Sequence, residues 1–297
     1  VWKDSFLMFQ NNIRKKVANN VINGIKTLCL GYFILYKDLV MEKLLNILQK
    51  LTRKIPFFYY FVRKIIGFNP FLIRIFYDKE LKILEKIKDK NLTIIDIGSN
   101  DGIFLNLILS FRIRIKKLFA FEPNPLNRLS LLKINNKKLK VYFFGLGEKK
   151  DKSNLYVPFY KILFKKVYFT SYSCIVKNKA KRDLNKSFSN YFKKKFLYEK
   201  FFIKIQKLDK FNIKPDFIKL VAGGFEYQII KGSIKTLKKH RPVLYLDPHS
   251  LKAEKLFKSL GYNKLYLPLK TYKFFKTKKN NNSDQYFYIH KQNNIFK

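Results

Sequence analysis

Residues 94–128 read IIDIGSNDGIFLNLILSFRIRIKKLFAFEPNPLNR, and few folds can accommodate that order of segments. Ile94 and Ile95 start a buried-strand run that stops on an acid, Asp96. The small-residue turn Gly98, Ser99, Asn100, Asp101, Gly102 comes next, then an apolar run with helical character from Ile103 to Phe111. A second apolar run, Leu118 to Phe121, ends on another acid, Glu122. Strand, glycine turn, helix, strand and acid is the layout of a nucleotide-binding βαβ unit, in which the turn admits a ligand to the backbone and the second acid takes ribose hydroxyls. Asp96 and Glu122 are 26 positions apart, near the roughly 20 expected between turn and acid. With only two glycines the turn matches G-x-G-x-x-G poorly, which points away from a dinucleotide and toward a smaller adenosyl ligand.

Length and composition bound the rest. A chain of 297 residues has room for one α/β domain of about 200 residues plus an appendage, and 47% apolar content is ample for a core. The net charge of +43 resembles a nucleic-acid signature, but only 9 of the 63 basic residues are Arg. Bidentate phosphate or guanine recognition favours Arg, whereas Lys, Asn, Ile, Phe and Tyr abound here as they do under AT-rich coding. No specific nucleic-acid partner is expected, although a basic face attracts anionic surfaces generally. Cys29 and Cys174 have neither metal-ligand spacing nor a disulfide framework, and His240, His249 and His290 have no metal spacing, so no metal is expected. The compartment expected is the cytoplasm. The apolar run 21–36 is interrupted by Lys26 and is shorter than the about 20 residues of a membrane span.

Two regions are expected: a helical, Lys- and aromatic-rich extension over 1–78 and an α/β domain over 79–297. In the first, 41–51 has helical spacing, and 55–77 is basic and aromatic, broken by Pro56 and Pro70. That segment reads either as a cap on the core or as a peripheral membrane contact at the inner face. In the second, strands are expected at 93–96, 118–121, 140–144, 216–220 and 242–247, separated by helices at 80–90, 103–111, 124–136, 225–240 and 251–262. Further strands are expected at 155–160 and 201–208, around a polar stretch, 177–195, expected to be mobile. A closing pair, KLYLP and QYFYIH, lacks an intervening helix and should form an antiparallel hairpin. Alternating strands and helices imply a parallel sheet with right-handed crossovers.

Four blocks in this order, IDIGSNDGIF, FEPNPLNR, LDKFNIKPDFIKL and GFEYQIIKGSIKTLKKHRPVLYLD, make the chain resemble the FkbM family of S-adenosylmethionine-dependent methyltransferases over roughly residues 80–290. The resemblance implies a class I methyltransferase fold, a Rossmann-like sheet of seven strands with the last antiparallel. It also implies O-methylation of a hydroxyl on a sugar or a similar small acceptor. By the same resemblance Gly98 and Gly102 leave space for the methionine moiety, and Ser99, Asn100 and nearby backbone N–H groups hold its carboxylate. Asp96 orients the loop or meets the cationic end. Glu122 takes the ribose hydroxyls, Pro123 and Asn124 shape the adenosine side, and Leu146 lies against adenine. Ser171, Tyr172 and Ser173 stand where the family approaches its acceptor, and Lys219 belongs to the same substrate side.

One block departs from the pattern. The family typically reads I-K-I-D-V-E-G at the end of strand four, and this chain reads Ile218, Lys219, Leu220, Val221, Ala222, Gly223, Gly224. Val221 and Gly223 stand in place of two acids, where α/β enzymes put their chemistry. Three readings stay open, one of them that the replacements, each reachable by a single-nucleotide change, are of experimental origin. Otherwise the chain is a catalytically degenerate member that binds cofactor or glycan, or another group such as Glu226, Asp247 or His249 supplies the acid–base function.

Overall fold

The computed structural model describes residues 56–69, 72–74, 79–162, 164–188, 196–246, 251–267, 274 and 286–296. The expectations for 21–36 and 41–51 lie outside them.

A seven-stranded sheet organises the domain. Its strands are β1 (Asn91–Ile97), β2 (Arg114–Phe121), β3 (Leu139–Tyr142), β8 (Phe217–Leu220), β9 (Val243–Leu246), β10 (Tyr262–Leu265) and β11 (Tyr286–His290), in the order β10-β11-β9-β8-β1-β2-β3. The first five run parallel to their neighbours, while β11 lies antiparallel between β9 and β10. This is the expected Rossmann-like sheet with an antiparallel closing hairpin. β1 and β8 read as near-continuous aliphatic runs because both faces of the sheet are covered. Ile94 and Phe217 face one core with α2 (Ile103–Ser110), while Ile95, Ile97, Ile218 and Leu220 face a second with α5 (Glu226–Lys231), α6 (Ile234–His240) and α7 (Leu251–Ser259).

A smaller sheet, in the order β4-β7-β5-β6, is inserted between β3 and β8. It consists of β4 (Gly145–Leu146), β5 (Asp151–Ile162), β6 (Lys165–Tyr168) and β7 (Leu197–Gln206). The expectation of a mobile stretch at 177–195 is corrected in its first part: Lys177–Ser187 is a helix, α4. Its polar sequence hides an anchor, because Ala180 and Leu184, one turn apart, are buried. Phe188 then joins Phe169 and Phe196 in an aromatic cluster with ring centroids 5.1–5.6 Å apart.

Helices are shorter than the periodicity implied. Lys79–Ile87 is a 3-10 helix, the 124–136 helix contracts to α3 (Arg128–Leu132) behind a 3-10 turn at Pro125–Asn127, and the 225–240 helix breaks into α5 and α6 at Gly232–Ser233. Upstream, α1 (Pro56–Phe68) begins on a proline, as first-turn geometry permits. It is fastened to the domain by a two-pronged Arg63–Asp101 ion pair, both bonds 2.9 Å, and by the Gly67 carbonyl, which accepts from the Asn106 side chain. Among the described residues no helix is long and apolar enough to cross a membrane.

Candidate active site

The turns after β1, β2 and β8 converge at the carboxyl edge of the sheet, where doubly wound folds bind ligands. The turn after β1 is built by its own backbone. Gly98 and Ser99 N–H donate to the Phe121 carbonyl, Gly102 N–H donates to the Ser99 carbonyl, and the Ser99 hydroxyl donates to the Asp96 carbonyl. Asn100 takes a left-handed conformation (φ 49°), tolerable for asparagine. It donates its N–H to Glu122 Oε2 at 2.7 Å and accepts from Asn127 Nδ2 at 2.8 Å.

Glu122 is therefore the hinge between the first two turns. Its other oxygen, Oε1, accepts the Asn124 N–H at 2.8 Å, and the residue is only 5% exposed. Burial pushes its carboxyl up to about 7, against two backbone N–H groups that favour the ionised form. Each oxygen keeps a lone pair beyond the one the backbone uses. Asn124 is itself fixed, accepting from Leu126 N–H and donating to Ser173 Oγ. Pro123 lies against Gly145, and Leu146 is buried in the short strand beside them.

Beneath the turn sits a buried ion pair that the sequence reading did not find. Asp96 and Lys219 are neighbours in the parallel register of β1 and β8. The Lys219 ammonium lies 3.0 Å from Asp96 Oδ1 and donates to the Gly98 carbonyl at 2.9 Å. Asp96 is fully buried, and neither of its oxygens accepts a well-directed hydrogen bond among the described residues. Burial drives its carboxyl above the usual range, opposed by the Lys219 charge. Lys219, expected on the acceptor side, is bonded to the floor of the glycine turn through the Gly98 carbonyl and Asp96.

Packing also requires glycine at both turn positions. A Cβ on Gly98 (φ 76°) would lie 1.9 Å from the Val221 carbonyl oxygen, and one on Gly102 would lie 2.5 Å from Ile134. Protein atoms occupy the places a side chain would take, so the packing of β8's end already demands glycine at 98.

The turn after β8 is held from within. Glu226, considered as a catalytic acid–base, accepts the N–H groups of Ala222 and Gly224 on one oxygen at 2.9 and 3.0 Å. It satisfies two N–H groups of the turn that precedes the helix, a role signalled by an acid just after a Gly-Gly turn. Gly223 has φ 58°, and a Cβ there would come within 2.9 Å of the Ser173 carbonyl. Its own carbonyl accepts from the Cys174 thiol at 2.9 Å. Ser171 and Tyr172 lie in the 3-10 turn Thr170–Tyr172, which this segment brings beside the β8 turn. Asp247 and His249 lie outside the described residues.

The acceptor set suits an adenosyl amino-acid ligand: a buried carboxylate at the end of β2 for a diol, with a second carboxylate, paired to Lys219, beneath the turn. Comparison with known proteins is consistent with that chemistry. The profile of the methyltransferase FkbM domain matches residues 96–274. The chain belongs to the FkbM methyltransferase family. Among solved structures it is similar to a methyltransferase FkbM from Methylobacillus flagellatus KT, at 16% identity and a TM-score of 0.41 over 67% of this chain and 44% of that one. The family member described here thus spans less than half the length of that protein. It is also similar to a precorrin-6y C5,15-methyltransferase from Geobacter metallireducens GS-15 (14% identity, TM-score 0.33, 71% of this chain and 84% of that chain). A third is a putative RNA methyltransferase from Pyrococcus horikoshii (12% identity, TM-score 0.33, 71% and 79%). No curated protein matches the chain.

Proposed function

We propose that this FkbM family member is an S-adenosylmethionine-dependent O-methyltransferase of the cytoplasm that acts on a hydroxyl of a sugar, in a surface glycan or a related metabolite. The observation that carries the reading is Glu122, a buried acid at the end of β2 whose two oxygens are oriented by Asn100 and Asn124 N–H. S-adenosylmethionine, when bound, supplies a methyl group on a sulfonium. Glu122 would accept the ribose hydroxyls and Leu146 would flank the base. Ser99, Asn100 and the backbone entering α2 would face the amino-acid carboxylate, and Asp96 would balance the positive end. Ser171 and Tyr172 would stand on the acceptor side, positioning the hydroxyl for in-line transfer. Calorimetric titration with S-adenosylhomocysteine tests the first half. Binding in the micromolar range is expected, and none at millimolar ligand would overturn the reading. Mass spectrometry of candidate sugars after incubation with S-adenosylmethionine tests the second.

A specific observation favours a second reading, in which the chain binds cofactor or glycan without turnover. Transfer to a hydroxyl calls for a proton acceptor, yet Glu226 is committed to the turn and Gly223 sits in a conformation that disfavours the family's acid. Tight cofactor binding with no methyl transfer to any sugar would select this reading.

A further inference from the structure

A cleft of about 370 Å³ lies between α1, α2 and α3 and borders the glycine turn at Asp101. Its aliphatic lining includes Ile103 and Ile134, and its polar lining includes Lys64 and Lys133, contributed by α1 and by the residue capping α3. Both lysines are exposed, and among the described residues neither has a carboxylate partner; Lys64 lies over the Tyr60 ring at 4.8 Å. The one acid in the lining, Asp101, is already taken by Arg63. A cleft with two lysines that have no carboxylate partner among the described residues, over an aliphatic wall, suits an anionic group attached to a hydrocarbon.

The helices on either side supply the rest. Phe61 (53% exposed) and Ile65 (47%) are one turn apart on α1, and Leu129 (73%) and Leu132 (59%) project from α3. Exposed large apolar side chains interspersed with lysines are the composition of an interfacial surface, in which apolar groups enter the headgroup boundary and the cations meet lipid phosphates. We infer that this face docks on an anionic phospholipid bilayer, with the cleft seating a lipid phosphate between Lys64 and Lys133 and with Phe61 and Ile65 inserted beside it. The Arg63–Asp101 pair would then join the membrane-facing helix directly to the turn that follows β1.

Vesicle flotation of the full chain tests this. Retention is expected on phosphatidylserine-containing vesicles and not on pure phosphatidylcholine. Lys64→Glu with Lys133→Glu should weaken retention by about tenfold or more, and Phe61→Ser with Ile65→Ser should weaken it comparably, both with unchanged thermal unfolding. The control is Lys255→Glu with Lys258→Glu on α7, an equal charge change at exposed positions on the opposite face of the sheet. It should leave retention intact. Equal losses from the control pair would mean that overall charge alone attracts the chain, which overturns the proposal. Stabilisation by inorganic phosphate that depends on Lys64 and Lys133, with vesicle retention insensitive to Phe61 and Ile65, would assign the cleft to a free phosphate and overturn it too. If the charge reversals do not fold, Lys64→Gln with Lys133→Gln reads the same site.

Discussion

The glycine turn after β1 and the turn after β8 meet at the same sheet edge, and each is held by a carboxylate that accepts backbone N–H groups, but they differ in the charge they keep. The first adds side-chain charge to its backbone hydrogen bonds: Glu122 ties it to the β2 turn and the Asp96–Lys219 pair lies beneath it. The second presents little besides backbone, and its single acid, Glu226, is spent on holding two N–H groups. The contrast separates binding from chemistry. Glu122 is present and oriented at the first turn, while of the three residues considered for acid–base work Glu226 is engaged by its turn and Asp247 and His249 lie outside the described residues.

The largest expected effect attacks the charged floor of the first turn. Lys219→Met leaves Asp96 buried without its counter-charge and should destabilise the fold by about 3 to 5 kcal/mol near neutral pH. The loss should shrink in acid, where Asp96 takes a proton, and Asp96→Asn in the same chain should restore most of it. Chemical denaturation at two pH values measures both, and equal losses at the two would refute the assignment. Next comes the contact that joins the two turns. Gly98→Ala combines a left-handed backbone with a Cβ pressed on the Val221 carbonyl and should cost about 3 kcal/mol, read from the urea midpoint.

Restoring the family's acids sharpens the comparison from the other side. Val221→Asp with Gly223→Glu should lower stability by about 2 kcal/mol, because the second residue enters a left-handed conformation against Ser173, and should bring no gain in methyl transfer. A rise in turnover would show that the turn tolerates the acids and that the chain is a recently disabled enzyme. The last test concerns Glu122. Its folded carboxyl, raised to about 7 from an ordinary 4.5, keeps a proton that the unfolded chain releases, so the stability of the free protein should decline as pH rises through that interval. Ribose hydroxyls donate to the ionised form, so S-adenosylhomocysteine affinity should climb by up to about tenfold per pH unit below 7 and level off above it. Glu122→Gln should flatten both profiles, and a wild-type affinity independent of pH between 5 and 8 would argue against a ribose-binding carboxylate.

Much of this was legible beforehand. Aliphatic runs ending on Asp96, Glu122 and Leu220 announce parallel strands buried on both faces, and the lack of a helical sequence pattern between KLYLP and QYFYIH announces the closing hairpin. Less legible were features fixed by long-range contact. The helix at Lys177–Ser187 hangs on two apolar residues in a lysine-rich stretch, too few for a periodicity argument. The strand at Gly145–Leu146 is two residues long and exists because β7 passes beside it. The Asp96–Lys219 pair could have been found by aligning β1 and β8 as neighbours, since the register places them side by side. No local signal marks Gly98 as the seat of the Val221 carbonyl.

The fork between Arg63 and Asp101 bears on how the chain can be dissected. A fragment starting at residue 79, where the α/β pattern begins in the sequence, would discard Arg63 together with Ile73, which is fully buried in the core beneath α2. Such a fragment would leave an unpaired carboxylate at the rim of the glycine turn and bare an aliphatic face. Its failure to bind ligand would therefore report a damaged scaffold and say nothing about the family's chemistry.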